Sequence, residues 1–441
     1  MNINPAVSEN AAENSKRTWL ILAHCFNMDG RAASQTITDR LPSLMAKGIV
    51  PVVLSAPTGD KDLRFPHFQI FSPAPSGVLF ELRHIIKKKV TNRFAEKFLK
   101  AVLTIACLPF YIAEKIFIHL DSQWSWFISA SAKGYYLLKK YRPELIYSTA
   151  GPPSTHVAGF ILHKLSRKPW LAEVHDPLIY DNERPKWQNY WFKRWLEGRI
   201  CNSADAVVYF TEKALYSARG RNRIRGRAYV LRPGADPPDF SGVTYEKQDK
   251  IHFGHFGSLA EGRNLSVFIR ALHDTLKENP EWRDKIRLDV YGTELDFASR
   301  SAIFEYALND TLCEHGRLEY DPATGKTGRR QVLEAMRRCD VLLLIHGTDI
   351  ICEEYIPSKV YEYLVTSRPI LGCVLPDSEL GDILTRNGHT PVNGDSVDDV
   401  RTAIKKFVLR WESEGLPDHT VTSPYTVERA VKQLLDIIDG F

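Results

Sequence analysis

"IHFGHFGS" (residues 251–258) is a short apolar run closed by a glycine and a serine, and "LAEGRNLSVFIRAL" (259–272) follows it with helical apolar spacing. A run of this length between turn residues, leading into a helix, is the pattern of a strand buried on both faces of a parallel sheet. Just upstream, "PGADPPDFSGVTYEKQDK" (233–250) is rich in proline, glycine and charge and predicts a linker. Residues 251–258 therefore open a second domain. Its rhythm continues in "IRLDVYG" (286–292), "DVLLLIHG" (340–347) and "RPILGCVLP" (368–376).

The same rhythm precedes the linker. "TWLILAHC" (18–25) reads as a buried strand, "ASQTITDRLPSLMAKG" (33–48) as an amphipathic helix and "IVPVVLSAP" (49–57) as a second strand. Further strands are expected in "PELIYSTAG" (143–151), "PWLAEVHDP" (169–177), "ADAVVYFT" (204–211) and "AYVLRPG" (228–234). The expected fold class is α/β, with two Rossmann-like doubly wound domains facing a cleft, where ligands meet the carboxyl ends of strands. The expected boundaries are 1–16 disordered, 17–232 an N-terminal domain, 233–250 the linker, 251–425 a C-terminal domain and 426–441 a terminal helix.

Composition agrees. A chain of 441 residues suits two domains of roughly 200 residues each. Its 44% apolar and 25% charged content is that of a soluble globular protein. A net charge of +5 is mild, and no zinc-finger or RNA-binding signature accompanies it, so nucleic acid is not an expected partner. Seven scattered cysteines without a Cys-x-x-Cys fit a reducing compartment and provide neither a disulfide framework nor a zinc site. The opening "MNINPAVSENAAENSKRTW" has no basic-then-apolar signal segment, so a cytoplasmic location is expected.

Residues 83–120 break the rhythm. "RHIIKKKVTNRFAEKFLK" (83–100) carries seven basic residues against one acid, and "AVLTIACLPFYIA" (101–113) is apolar all round. The latter is shorter than the ~20 residues a bilayer span needs. Two readings stand: a helical insertion packed on the N-terminal domain, or a surface peripheral on the inner face of the cytoplasmic membrane. "WSWF" (124–127) suits an interfacial aromatic belt or a core.

Several stretches could carry chemistry. In "EEYIPSKVYEYL" (353–364), Pro357 and Ser358 open a helix whose first N–H groups, with Lys359, make an anion site. Glu362 lies one turn beyond Ser358, where a carboxylate can accept from a vicinal diol, and Glu354 precedes the helix and faces the far end of the same ligand. The plain alternative is a surface helix with Lys359 paired to Glu362. In "HFGSLAEGRNL" (255–265), Gly257 permits close approach, Arg263 could clamp a phosphate and a helix is expected from Asn264. "EVHDPLIYD" (173–181) places His175 and Asp176 past a strand end, as a hydrogen-bonding pair or a simple turn. "NMDGRAASQ" (27–35) supplies Asp29, Gly30 and Arg31, which resemble a phosphate-binding turn. Neither G-x-G-x-x-G nor a P-loop is present, which disfavours dinucleotide enzymes and P-loop ATPases.

Taken together, "HFGSLAEGRNLSVFIRAL", "LDVYGTE", "CEHGRLEYDP", "VLEAMRRCDVLLLIHG" and "EEYIPSKVYEYLVTSRPILGCVLPDSELGDIL" resemble the retaining GT-B glycosyltransferases of family 4, particularly the bacterial cell-surface polysaccharide branch. The N-terminal half agrees more loosely, through "PELIYSTAGPPSTHVAGFIL" and "WLAEVHDP". The resemblance implies a GT-B architecture and transfer of a sugar from a UDP or GDP sugar to a glycan or lipid-diphosphate-linked acceptor, with retention and with no metal or other cofactor. It implies that Glu362 binds the ribose, Glu354 the donor sugar, and Ser358, Lys359 and Arg263 the diphosphate, beside Gly257, Ser258 and Thr293. His315, Arg317 and Leu318 would lie against the base, and His175 beside the transferred sugar. Asp29, Gly30, Arg31 and Asp176 would meet the phosphate or acceptor. The family's Arg and Lys, five residues apart, are here Ser258 and Arg263, and its Gly-Gly loop is Asp29-Gly30. A sugar-nucleotide 2-epimerase of the same architecture and an inactive nucleotide-sugar-binding scaffold are the competing functions.

Overall fold

The computed structural model describes residues 17–440, apart from 29–30, 150, 181–186, 238–239, 261, 293, 376 and 420–421. The expected lead-in 1–16 lies outside the described residues. Two units emerge. Unit 1 takes the described residues up to 210, with 215–231 and those from 427 on, and unit 2 takes 211–214 and 232–426.

Unit 1 is organised by β1 (Arg17–Leu22), β2 (Ile49–Ser55), β3 (His67–Gln69), β4 (Leu145–Ser148), β5 (Trp170–Val174), β6 (Ala206–Tyr209) and β7 (Arg227–Val230). They pair in the order β3-β2-β1-β4-β5-β6-β7, all parallel. The helices of this half are α1 (Ala32–Ala46), α2 (Pro75–Lys89), α3 (Arg93–Phe117), α4 (Trp126–Tyr141), α5 (Ser154–Ser166), α6 (Trp187–Ser203) and α7 (Glu212–Arg221). The central strands are buried on both faces, which is why they read as unbroken apolar runs.

Unit 2 repeats the plan with β8 (Ile251–Gly257), β9 (Ile286–Gly292), β10 (Leu312–Gly316), β11 (Val341–Ile345), β12 (Ile370–Val374) and β13 (Thr390–Asn393), in the parallel order β10-β9-β8-β11-β12-β13. Its helices are α8 (Ser266–Glu278), α9 (Phe297–Glu305), α10 (Gly328–Arg338), α11 (Lys359–Leu364), α12 (Glu379–Arg386) and α13 (Val397–Ser413). Phe268, Ile269 and Leu272 of α8 join Ile404 and Phe407 of α13 in one hydrophobic cluster. Val360, Tyr361, Tyr363 and Leu364 of α11 join another, with Leu342, Leu344 and Val374 of the sheet. That burial turns four of the six α11 residues inward and leaves Lys359 and Glu362 on the helix's other side.

The final helix, α14 (Val427–Asp439), packs in unit 1. Val427, Val431, Leu434 and Ile438 recur at helical spacing and meet Ile37, Leu41 and Leu44 of α1 over Trp19, Ile21 and Val208 of the sheet. In "WSWF" the core reading holds for Trp126, which is fully buried with its Nε1 donating to Ile70 O at 3.3 Å, while Trp124 and Phe127 are half-buried and Trp124 Nε1 donates to Glu114 at 2.7 Å. An indole whose N–H finds a partner inside has no need of the headgroup region. The insertion expected at 83–120 is helical, formed by the end of α2 and the whole of α3. The window 101–113 carries no charged residue, and the polar side of the helix is supplied from beyond it. Glu96, Lys100, Glu114 and Lys115 occupy one side of α3, outside or at the edge of the window 101–113.

Leu434 is fully buried in the α14 contact. Leu434→Ala is expected to destabilise the protein by about 2–5 kcal/mol in urea denaturation. A loss below about 0.5 kcal/mol, the range of exposed positions, would mean that α14 is not docked on this sheet.

Candidate functional site

In unit 2 the strand order reverses between β8 and β11, the point at which open α/β sheets bind ligands. β8 ends at Gly257, whose φ is +125°, a left-handed conformation that glycine adopts without cost. A Cβ on Gly257 would stand 1.2 Å from Lys359 Nζ, so the missing side chain is what lets the ammonium lie across the strand end. Gly292, ending β9 with φ +124°, is equally constrained, since its Cβ would meet Gly257 O at 2.4 Å. Two neighbouring strand ends are thus bare backbone beside a cation.

Arg263 reaches the same place. A tight turn holds it, with Ala260 N donating to Arg263 O at 3.0 Å and Arg263 N to Ala260 O at 2.8 Å. The helix expected from Asn264 begins at Ser266, because the Asn264 side chain accepts from Ser266 N at 3.0 Å and fixes a non-helical entry. Burial, and then the Arg263 guanidinium, bring Lys359 down to about 8, partly offset by Glu362. Two cations held close in a partly desolvated crevice form a site complementary to a multiply charged anion.

Two histidines that the sequence reading did not select stand beside these cations. His255 Nδ1 meets Leu343 O at 3.2 Å, and His346 Nε2 meets Cys352 O at 3.2 Å. Burial, with Lys359 and Arg263 nearby, lowers His255 to about 3, and burial with Arg263 lowers His346 to about 4. Both are neutral at pH 7. His255 Nε2 and His346 Nδ1 have no hydrogen-bond partner among the described residues.

Glu362 pairs with Arg329 of α10, whose Nε is 3.2 Å from Oε1, and not with Lys359 as in the plain surface-helix alternative. Glu354 follows the short 3-10 turn Ile350–Glu353 and is buried. Ser358 heads α11 without a side-chain cap bond. Ser258 is exposed, and Thr293 lies outside the described residues.

His315 is on β10, separated from β8 by β9. Its ring stacks on Tyr291 at 4.0 Å, and Tyr291 stacks on Phe256 at 4.5 Å. Its Nε2 is 2.6 Å from Asp289, which His252 Nδ1 meets at 2.7 Å and Arg287 Nε at 2.9 Å. Asp289, Cys313 and His315 have metal-ligand chemistry, yet Arg287 already supplies a cation there. Arg317 is exposed and Leu318 half-buried.

In unit 1, His175 follows β5 and is held from behind. Its Nε2 lies 2.8 Å from Glu173 Oε1 and 3.0 Å from Thr149 Oγ1, and its ring stacks on Phe210 at 4.4 Å. Glu173 is fully buried and also meets Arg40 Nη1 at 2.5 Å and Tyr147 OH at 2.8 Å. Burial alone would raise its carboxyl, but Arg40 and these donors hold it well below the usual carboxylate range. An ionised Glu173 therefore keeps the Nε2 proton of His175 in place and leaves Nδ1 as the other ring nitrogen. Asp176 is exposed, and so is Arg31, whose guanidinium lies 5.9 Å from the Phe80 ring. Asp29 and Gly30 lie outside the described residues.

An anion that neutralises Lys359 raises its pKa, so binding takes up a proton above pH 8 and affinity falls as pH rises. Pyrophosphate affinity, measured by calorimetry, should drop about tenfold between roughly pH 7 and pH 9.5. Lys359→Gln should bind weakly with a flat profile. An unchanged pH dependence in that variant would place the anion elsewhere.

Residues 50–238 match the family model Glycosyltransferase Family 4, in the half where the resemblance read from sequence is looser. No curated protein matches by sequence. The HepE protein of Anabaena in complex with UDP superposes with a TM-score of 0.58 at 14% identity, over 97% of this chain and all (100%) of that one. A UDP-forming α,α-trehalose-phosphate synthase of Burkholderia xenovorans gives 0.62 at 11% identity, covering 96% and 99%. A chain from Listeria monocytogenes assigned as a UDP-N-acetylglucosamine 2-epimerase gives 0.50 at 11% identity, covering 96% of each. The chain thus has the two-sheet GT-B fold of these neighbours, and its residues 50–238 are similar to the family 4 glycosyltransferase model.

Proposed function

We propose that this protein is a retaining, metal-independent glycosyltransferase that moves a sugar from a nucleoside-diphosphate sugar, UDP by preference, to a glycan or lipid-diphosphate-linked acceptor in surface-polysaccharide assembly. The observation that carries the reading is Lys359 lying across the bare backbone of Gly257, with the Arg263 guanidinium near enough to act on its charge. Structural neighbours solved with UDP and with UDP-glucose support the choice of donor.

In this reading Lys359, Arg263 and Ser358 hold the diphosphate, with the neutral His255 and His346 as hydrogen-bonding neighbours. Glu362 shares its carboxylate between Arg329 and the ribose hydroxyls, while Glu354 takes donor-sugar hydroxyls and the His315 ring borders the base. Reaction breaks the bond between the anomeric carbon and the diphosphate oxygen and forms one to the acceptor oxygen on the same face. The acceptor proton passes to the leaving phosphate. The two cations stabilise the charge that develops on the diphosphate, so no metal is required. His175, oriented by Glu173, is proposed to contact the transferred sugar.

The epimerase reading keeps some support from the Listeria neighbour. It needs a carboxylate acid or base, and Glu173 is a poor one because Arg40 holds it ionised and buried. Incubation with a panel of UDP and GDP sugars, with product analysis by mass spectrometry and NMR, separates the cases. We expect one donor to be consumed with nucleoside diphosphate released and no acceptor-free epimer formed. Glu362→Ala should weaken that donor's binding about 10- to 100-fold, the worth of one or two charge-assisted hydrogen bonds. An epimer formed without acceptor would establish the 2-epimerase, and binding without turnover under any acceptor would establish the scaffold.

A further inference from the structure

Helix α3 is amphipathic with its faces reversed relative to the protein that carries it. None of its 25 residues is buried. Its polar side is the bonded side: Glu114 accepts from Ser76 N at 2.8 Å, Ser76 Oγ at 2.6 Å and Trp124 Nε1 at 2.7 Å, and Lys115 Nζ donates to Leu120 O at 2.7 Å. Glu96 pairs with Lys100 one turn on. On the other side Phe94, Phe98, Ile105 and Ile116 are each 60–80% exposed, and Ile112 lies among them. Rotating that face inward would strip three donors from Glu114, whose side chain is only 5% exposed, so the orientation is fixed by hydrogen bonding.

The outcome is an apolar stripe roughly 33 Å long, well beyond the single exposed apolar residues of an ordinary surface. Its amino-terminal end is cationic. α2 closes on Lys87, Lys88 and Lys89, α3 opens on Arg93, and Lys97 follows one turn later. Lys88 is engaged by Asp60, whereas Arg93 and Lys97 form no ion pair among the described residues. No helix among the described residues is long and apolar enough to cross a membrane, so a lipid contact here is one-sided. An apolar helix face with basic residues at its end is complementary to acyl chains beneath anionic headgroups.

We propose that α3 lies in the headgroup–acyl boundary of an anionic bilayer, with its aromatic and aliphatic face in the acyl region and Lys89, Arg93 and Lys97 at the lipid phosphates. The inference is independent of the donor reading. The test is flotation of the full chain with vesicles of phosphatidylethanolamine containing about one-third phosphatidylglycerol, against phosphatidylcholine alone. Wild type should partition at least about tenfold more strongly onto the anionic vesicles, with the excess lost in high salt. The exposed-face variant Phe98→Glu/Ile105→Glu/Ile112→Glu should lose about tenfold or more of that binding, and Lys89→Glu/Arg93→Glu/Lys97→Glu should abolish the preference for anionic lipid. Both variants should melt with the wild type, because every substituted residue is exposed. The proposal is overturned by wild type that does not float at low salt, or by variants that float equally well. It is overturned too by a wild-type dimer that the apolar-face variant makes monomeric without any lipid binding, which would mark a seam between copies.

Discussion

Lys359 and Arg263 repel one another, and the carboxyl ends of the unit 2 strands are arranged to hold them close regardless. Glycine at 257 clears the space, glycine at 292 clears the space behind it, and the 260–263 turn fixes the approach of Arg263. Nothing in the stability of a lone domain rewards such a contact. The cost shows in the lowered Lys359 pKa, and an anion placed between the cations would turn that cost into a gain. The neutral His255 and His346 fit the same logic, since further positive charge would be repelled from this crevice.

Unit 1 solves the opposite problem. There the charges are paired and buried, with Arg40 and Glu173 fully enclosed and Tyr147, Thr149 and His175 completing the carboxylate's hydrogen bonds. Such a network is costly to break and holds the imaginable positions of His175 to one, with the Phe210 ring as its backstop. One unit thus presents two neighbouring cations, and the other presents a histidine oriented by an ionised acid.

Much of the fold was legible because parallel strands buried on both faces leave unbroken apolar runs. The strands that escaped, "HFQ", "LCEHG" and "TPVN", are short outer strands that are only partly buried, so their composition resembles that of loops. The docking of α14 was not legible, since its stripe says that it packs but not on which unit. At the candidate site, Gly257, Arg263 and Lys359 could be read from local motifs. The partner of Glu362 could not, because Arg329 is 33 residues away in sequence. Glu173 could have been found, as an acid inside the otherwise apolar "WLAEV" is a signal in its own right. In α3, reading only 101–113 hid the polar face, whose members lie largely beyond that window.

Phosphorus NMR of UDP with the full chain tests the diphosphate site most directly. The β-phosphate resonance is expected to shift on binding to wild type and to stay at its free position with Arg263→Gln/Lys359→Gln at the same concentrations. A β-phosphate shift that persists unchanged in the double variant would contradict a diphosphate held between Arg263 and Lys359.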